Sequence, residues 1–170
     1  YEPFIGTLGV SPEIEAVLSL QPDYWGGNMD LPDVAPGAIV YFPVQTKGAY
    51  LFVGDCHARQ GDGELCGVAV EMPATATFQV DLIKGWSIPG VRLETEEMIM
   101  SIGSARPMED AARMAFKAMV GWVRERTGLS LTDAYQFVSQ NTQAPIIQLV
   151  DPEYTVLVKL DKHRVPIGRG

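Results

Sequence analysis

One window concentrates the groups able to do chemistry: Gly54-Asp55-Cys56-His57-Ala58-Arg59-Gln60-Gly61-Asp62-Gly63-Glu64-Leu65-Cys66-Gly67. It holds three carboxylates, an imidazole, a guanidinium and two thiols, with four glycines that free the backbone for tight turns. Apolar stretches flank it, so it reads as a strand-to-strand connection far longer than the two to five residues of a simple hairpin. Long loops on rigid strands are where sites collect. Asp55 and His57 are two apart, and on a strand both would project from one face. Such a pair can share a Zn²⁺ or similar ion. It can equally form a hydrogen-bonded pair that orients a general base. Glu64 and Glu71 follow, and a Glu inside the apolar run 66–72 needs a partner or a metal if it is buried. Against this stands ordinary turn chemistry, for which Asp-Gly and Gly-Asp-Gly are common vocabulary. Cys56 would face away from His57 on a strand and so lacks a positioned base; both cysteines read as inert core thiols.

A second candidate is Trp25-Gly-Gly-Asn28-Met-Asp30, where Asn and Asp after paired glycines also suit a plain turn. The methionines between 98 and 119 read as core filler. His163, in a charged tail, reads as exposed.

The elements that must position these groups follow from periodicity. Up to Pro36 the chain is rich in Gly and Pro, with one short helix expected over 13–20, capped by Ser11 and opened by Pro12. Residues 38–44 and 49–53 are apolar and β-prone, separated by Gln45-Thr-Lys-Gly48, and read as a hairpin. Residues 66–72 and 75–83 read as a second pair; in the latter Phe78, Val80 and Leu82 alternate with Thr77, Gln79 and Asp81. Strands are expected at 91–95 and 98–102. The period then becomes helical: Met108, Ala111, Ala112, Ala115, Met119 and Val123 share one stripe between Pro107 and Gly128. A second helix is expected over 132–140 with Ser130 as N-cap, then strands at 146–150 and 154–160, and a frayed tail from His163. Strands, two helices, then strands indicate a mainly-β or α+β single domain over 1–170 rather than an alternating parallel sheet.

Bulk properties exclude several classes. A 170-residue chain with 46% hydrophobic residues can bury a real core. A net charge of −8 gives no electrostatic reason to bind nucleic acid or an anionic membrane. The apolar runs are strand-length, so no membrane span is expected. Two cysteines make a weak disulfide signal, and free thiols in a cytoplasmic protein are expected. The opening Tyr1-Glu-Pro-Phe-Ile-Gly lacks an initiator Met and reads like the middle of a domain.

Taken in order, Phe4-Ile-Gly-Thr-Leu-Gly-Val-Ser-Pro12, Gly26-Gly-Asn28-Met-Asp30, Tyr41-Phe-Pro-Val44 with Gly48-Ala49, the block Gly54–Glu64, and Gly67 with Glu71 resemble the acetamidase/formamidase family. The resemblance runs over most of the chain and weakens after about Gly128. It implies hydrolysis of small aliphatic amides to the acid and ammonia, with lactams as substrates of some relatives. It also implies metal dependence, with Zn the expected ion, and a β-sandwich-like core beside a smaller α/β portion containing two helices. Complete members carry a β-rich portion before the point where this chain begins, so a preceding segment or second chain is expected to complete the site and cover apolar surface on the early strands. A homo-oligomer is expected as well. On this resemblance Asp55 and His57 are the metal ligands, Glu64 the general acid/base, and Glu71 a second candidate for either task. Asn28, Asp30, Gln60 and Asp62 orient substrate or ligands. The competing classes are a non-catalytic binding or regulatory domain with an incomplete site, and a metal-free hydrolase using a carboxylate–Cys or carboxylate–water pair.

Overall fold

A computed structural model describes residues 1–166 of the 170. Among the described residues, nine strands and two α-helices form three layers. The first is an antiparallel sheet in which β1 (Phe4–Gly9) lies between β2 (Gly26–Asn28) and β4 (Phe52–His57). The second sheet runs β3 (Ile39–Tyr41), β5 (Arg92–Glu94), β6 (Met98–Ala105), β9 (Tyr154–Asp161) and β7 (Thr142–Gln143), with β8 (Ile146–Gln148) also paired to β9. Helices α1 (Met108–Thr127) and α2 (Leu131–Asn141) form the third layer.

The period of two along β6 explains the stacking. Met100 and Ile102 join Leu8, Met29, Leu93 and Leu157 in a core between the sheets. Ile99 faces the other way, into a core with Ala115, Met119, Val123, Val158 and Leu160 beneath the helices. Ser101 and Gly103 share that helix-facing side: Ser101 donates to the Ala115 carbonyl at 2.8 Å, and a Cβ on Gly103 would sit 2.1 Å from the Ala111 carbonyl oxygen. The mainly-β/α+β expectation is met: a two-sheet core carries two helices on one face.

The helices form as expected. Gly128 ends α1 in the left-handed conformation, its N–H bonded to the Arg124 carbonyl. Glu109 and Asp110 near its start and Arg124 and Arg126 near its end complement the helix dipole. The Ser130 side chain caps α2 by accepting from the Asp133 N–H.

Other expectations are corrected. Residues 13–20 form no helix: Ile14 and Leu18 are exposed, and a short helix with no face to bury is marginal. The 38–44/49–53 hairpin does not exist. Although Thr46 to Ala49 is a turn, β3 pairs with β5 and β4 pairs with β1, so the chain passes from one sheet to the other. Neither 66–72 nor 75–83 is a strand. Only Glu71 makes a bridge, to His57. Conversely, β1 and β2 went unrecognised, because Gly6, Gly9, Gly26 and Gly27 break the alternation that marks a strand. Cys56 and Cys66 are free as expected but not core thiols: Cys56 is half-buried and Cys66 exposed. Beyond β9, Lys162–Arg164 is a 3₁₀ turn held by the Asp161 side chain, and His163 is exposed; Gly168 and Gly170 lie outside the described residues. Among the described residues no helix is long and apolar enough to cross a membrane.

Candidate active site

Two strands flanking β1 bring the motifs together. Thr7 on β1 is opposite Asn28 of β2 on one side and Gly54 of β4 on the other; Phe4 is opposite His57. The Asp30 N–H bonds the Gly6 carbonyl, so Gly6 lies between the two motifs. A Cβ there would sit 2.7 Å from Asp55 Oδ2 and 2.8 Å from Asp30 Oδ1. Only a glycine leaves room for both carboxylates.

His57 is buried at the end of β4 with its ring edge-on to Phe4, centroids 5.0 Å apart. Its surroundings fix its orientation. Gln60 Nε2 donates to the carbonyls of Asp30 (2.7 Å) and Ile147 (3.3 Å). Gln60 Oε1 must then face His57 Nδ1, at 3.1 Å, and accepts its proton. The opposite nitrogen, Nε2, lies 3.1 Å from Asp55 Oδ1 and 3.2 Å from Glu71 Oε1. Glu71 reaches this position because residues 70–72 run back along 56–59: Ala58 bonds Val70, Val70 bonds Arg59 and Met72 bonds Cys56. Glu71 is not buried, since its side chain is 47% exposed, yet it has a partner in His57.

Behind this trio lies a buried acidic cluster. Asn28 donates to Asp30 Oδ2 at 2.8 Å and to Asp151 Oδ2 at 3.0 Å, and its own carbonyl accepts from Thr7. Asp30 is fully buried and Glu64 and Asp151 nearly so. Burial first, then repulsion from Glu64 and Asp151, pushes the Asp30 pKa up to about 10. Burial also raises Glu64, offset in part by a hydrogen bond from Asp30 and the proximity of His57. Asp151 is raised by burial against hydrogen bonds from Asn28 and Asp30. Asp30 therefore retains a proton that an ordinary carboxylate would shed.

The loop carrying Glu64 is tied down from far along the chain. The Gly63 N–H bonds the carbonyls of Ile146 and Ile147, and the Leu149 N–H bonds the Gly63 carbonyl. Asp30, Asp55 and Glu64 all adopt left-handed backbone, with φ of 50°, 56° and 42°. Asn28, Asp55, Glu64, Glu71 and Asp151 line one cavity of about 250 Å³, together with Ser19, Leu20 and Gly67. Gln60 stands behind it as the support of His57. Asp62 is elsewhere: exposed, it lines a shallower neighbouring cavity with Leu65, Cys66 and Val68.

Asp151 and Gln148 were not legible as site residues. Gln148 is fully buried; its Oε1 accepts from the N–H groups of Val150 and Asp151, while its Nε2 donates to Glu153 and Thr155. That clamp shapes the turn presenting Asp151. The sequence shows only Asp151-Pro152 between two strands, a common turn, and no local signal joins it to Asn28.

Two donor sets could hold a cation: Asp55, His57 and Glu71 at the surface, and Asp30, His57 and Glu64 in the interior. The residues fit a Zn²⁺-like ion. His57 Nε2 and the two carboxylate oxygens beside it make a mixed N/O donor set, and Gln60 is the outer partner that orients the ring.

Comparison with known proteins places this geometry. The Acetamidase/Formamidase family profile matches residues 11–157. The crystal structure of acetamidase from Yersinia enterocolitica superposes with a TM-score of 0.95 at 51% identity, covering 98% of this chain and 50% of that one. Acetamidase from Bacillus halodurans gives 0.91 at 36% identity, covering 95% and 55%. The formamidase of Methylophilus methylotrophus is 43% identical over 72 residues, which are 41% of this chain and 17% of the relative. The chain thus spans about half the length of the solved relatives. A family profile matched from residue 11 to 157, on the strands and loops that carry the site, makes this chain a member of the acetamidase/formamidase family.

Proposed function

We propose that the protein hydrolyses a small aliphatic amide of the formamide or acetamide type, releasing ammonia, with a divalent ion held by Asp55, His57 and Glu71. The observation that carries this reading is the Gln60–His57 pair, which turns Nε2 toward two carboxylates. A small, polar-lined cavity suits a substrate of a few heavy atoms, since drug-sized ligands occupy about 300–1,000 Å³. The family includes proteins named acetamidase and formamidase.

A bound ion would supply Lewis acidity, polarising the carbonyl and making a water more acidic. The chain's own residues handle protons and position. Glu64 takes a proton from the attacking water as oxygen bonds to the carbonyl carbon. It returns that proton to the nitrogen as the carbon–nitrogen bond breaks, giving carboxylic acid and ammonia. Burial, which raises its pKa, suits it to both halves of that exchange. Asn28 holds Asp30 and Asp151 in place by donating to both, and the protonated Asp30 lies against Glu64.

Two substitutions test the roles. Glu64→Gln should lower kcat for ammonia release by roughly 10²–10⁴ with KM and metal stoichiometry little changed. His57→Ala should lower metal stoichiometry and abolish activity, with partial rescue by excess metal. Metal lost from Glu64→Gln but kept by His57→Ala would reverse the roles. Full hydrolysis by a metal-free preparation would rule out the ion and leave a carboxylate–water mechanism.

A further inference from the structure

Asp151 lines the candidate cavity, yet the proton transfers assigned to Glu64 leave it without a task. Its place is nevertheless built from every side. Its N–H donates to Gln148 Oε1 at 3.0 Å, and its carbonyl accepts from Arg106 Nη2 at 2.6 Å. Arg106 is itself stacked on Tyr154, 4.2 Å from the ring centroid. Such fixing exceeds what a turn requires. An aspartate engaged only in turn chemistry bonds its own nearby backbone, whereas this buried carboxylate reaches Asn28, 123 positions away.

The cavity's chemistry limits what that carboxylate can meet. A primary amide brings a carbonyl oxygen, which accepts, and an amino group, which donates. Acceptors for the amino hydrogens are few. Asp55 and Glu71 turn oxygens to His57 Nε2, at 3.1 and 3.2 Å, and Glu64 is the proton carrier. Asn28 has spent its amide hydrogens on Asp30 and Asp151 and its oxygen on Thr7. Ser19 is exposed to water, and neither Leu20 nor Gly67 has a polar side chain. Asp151 accepts from Asn28 and Asp30; a carboxylate has about four acceptor positions, so about two stay open. Among the described residues no lysine or arginine lines the cavity to compete for them.

We infer that Asp151 accepts the N–H groups of the substrate and so selects a primary amide over an isosteric carbonyl compound, a role that rests on the hydrolysis reading. A site built to accept an N–H discriminates strongly against an analogue that lacks it.

Binding, rather than turnover, tests this. Acetamide and acetone share size, shape and a carbonyl, and differ in an amino group against a methyl. Each would be titrated, by NMR of the backbone amides with Zn²⁺ present, into the full 170-residue chain carrying Glu64→Gln, so that bound amide is not consumed. Acetamide is expected to bind at least about 10-fold more tightly than acetone. Asp151→Asn keeps an oxygen for Asn28 but turns an amino group toward the substrate's own. It should remove the preference while leaving acetone affinity unchanged. Equal binding of the two ligands, binding of neither, or a preference that survives Asp151→Asn would overturn the inference. Loss of both ligands together would also overturn it, making Asp151 a support of the cavity. The comparison of acetamide with acetone needs no change at 151, so it stands as a test even where Asp151→Asn does not fold. Failure of the hydrolysis reading is distinct: the chain with Glu64 intact would then release no ammonia although acetamide binds selectively.

Discussion

Asp30, Asp55 and Glu64 sit at left-handed backbone angles that most side chains avoid, each costing on the order of 1–3 kcal/mol. The neighbouring pairing enforces them: β1 hydrogen-bonds to both motifs, and β8 straps the loop around Glu64. Gly6 is tightly constrained in this arrangement, because no methyl group fits between the two carboxylates. Gly6→Ala should push Asp55 and Asp30 apart, destabilising the fold by about 1–3 kcal/mol and removing most of the bound metal. Metal titration beside a thermal melt separates those effects; a Gly6→Ala protein with normal metal content would show that the two carboxylates do not share one site. At this scale the sequence was informative where chemistry is local. Asp55, His57 and Glu64 stood out because unusual residue types crowd one loop. Asp151 did not, since its partnership with Asn28 spans 123 positions and depends on Gln148, a buried amide with no local signature.

Among the elements, those whose signal is self-contained were legible. Helix α1 carries its stripe, its stop at Gly128 and its charges within its own residues, and β6 and β9 are long enough to alternate. The misread elements depend on partners elsewhere. A turn at Thr46–Ala49 is real, but it joins strands of different sheets, and nothing in a turn says which edge each arm will meet. Likewise the alternation in 77–82 is present in the sequence, but the segment forms no strand among the described residues. Where helix meets sheet, contact is set by small residues: Gly103 lies against the backbone of Ala111 and Ala115. Gly103→Ala would force α1 off the sheet, with an expected loss of about 3 kcal/mol, the upper end for overpacking, read from denaturant midpoints. A much smaller loss would mean that the helix slides at little cost.

For the molecule as a whole, the buried acids set a dependence on pH. Asp30 binds its proton far more tightly folded than unfolded, so its contribution is complete below an ordinary carboxylate pKa near 4 and is lost as pH rises toward about 10. Stability should therefore decline through the neutral and alkaline range. Asp30→Asn, a neutral isostere of the protonated acid, should flatten that decline while leaving stability near pH 5 little changed; melts across pH 5–10 check it, and an unaltered slope would assign the decline to other groups. The strap from Gly63 to Ile146 and Ile147 has a further consequence, in time rather than energy. A nascent chain has made every residue of the Gly54–Glu71 motif well before β8 and Asp151 exist. At about 5–20 residues per second the gap lasts several seconds, during which His57 and its carboxylates belong to an unclosed loop. If these residues hold an ion as proposed, the ligands come first and the site comes last, so selectivity would have to be established after release.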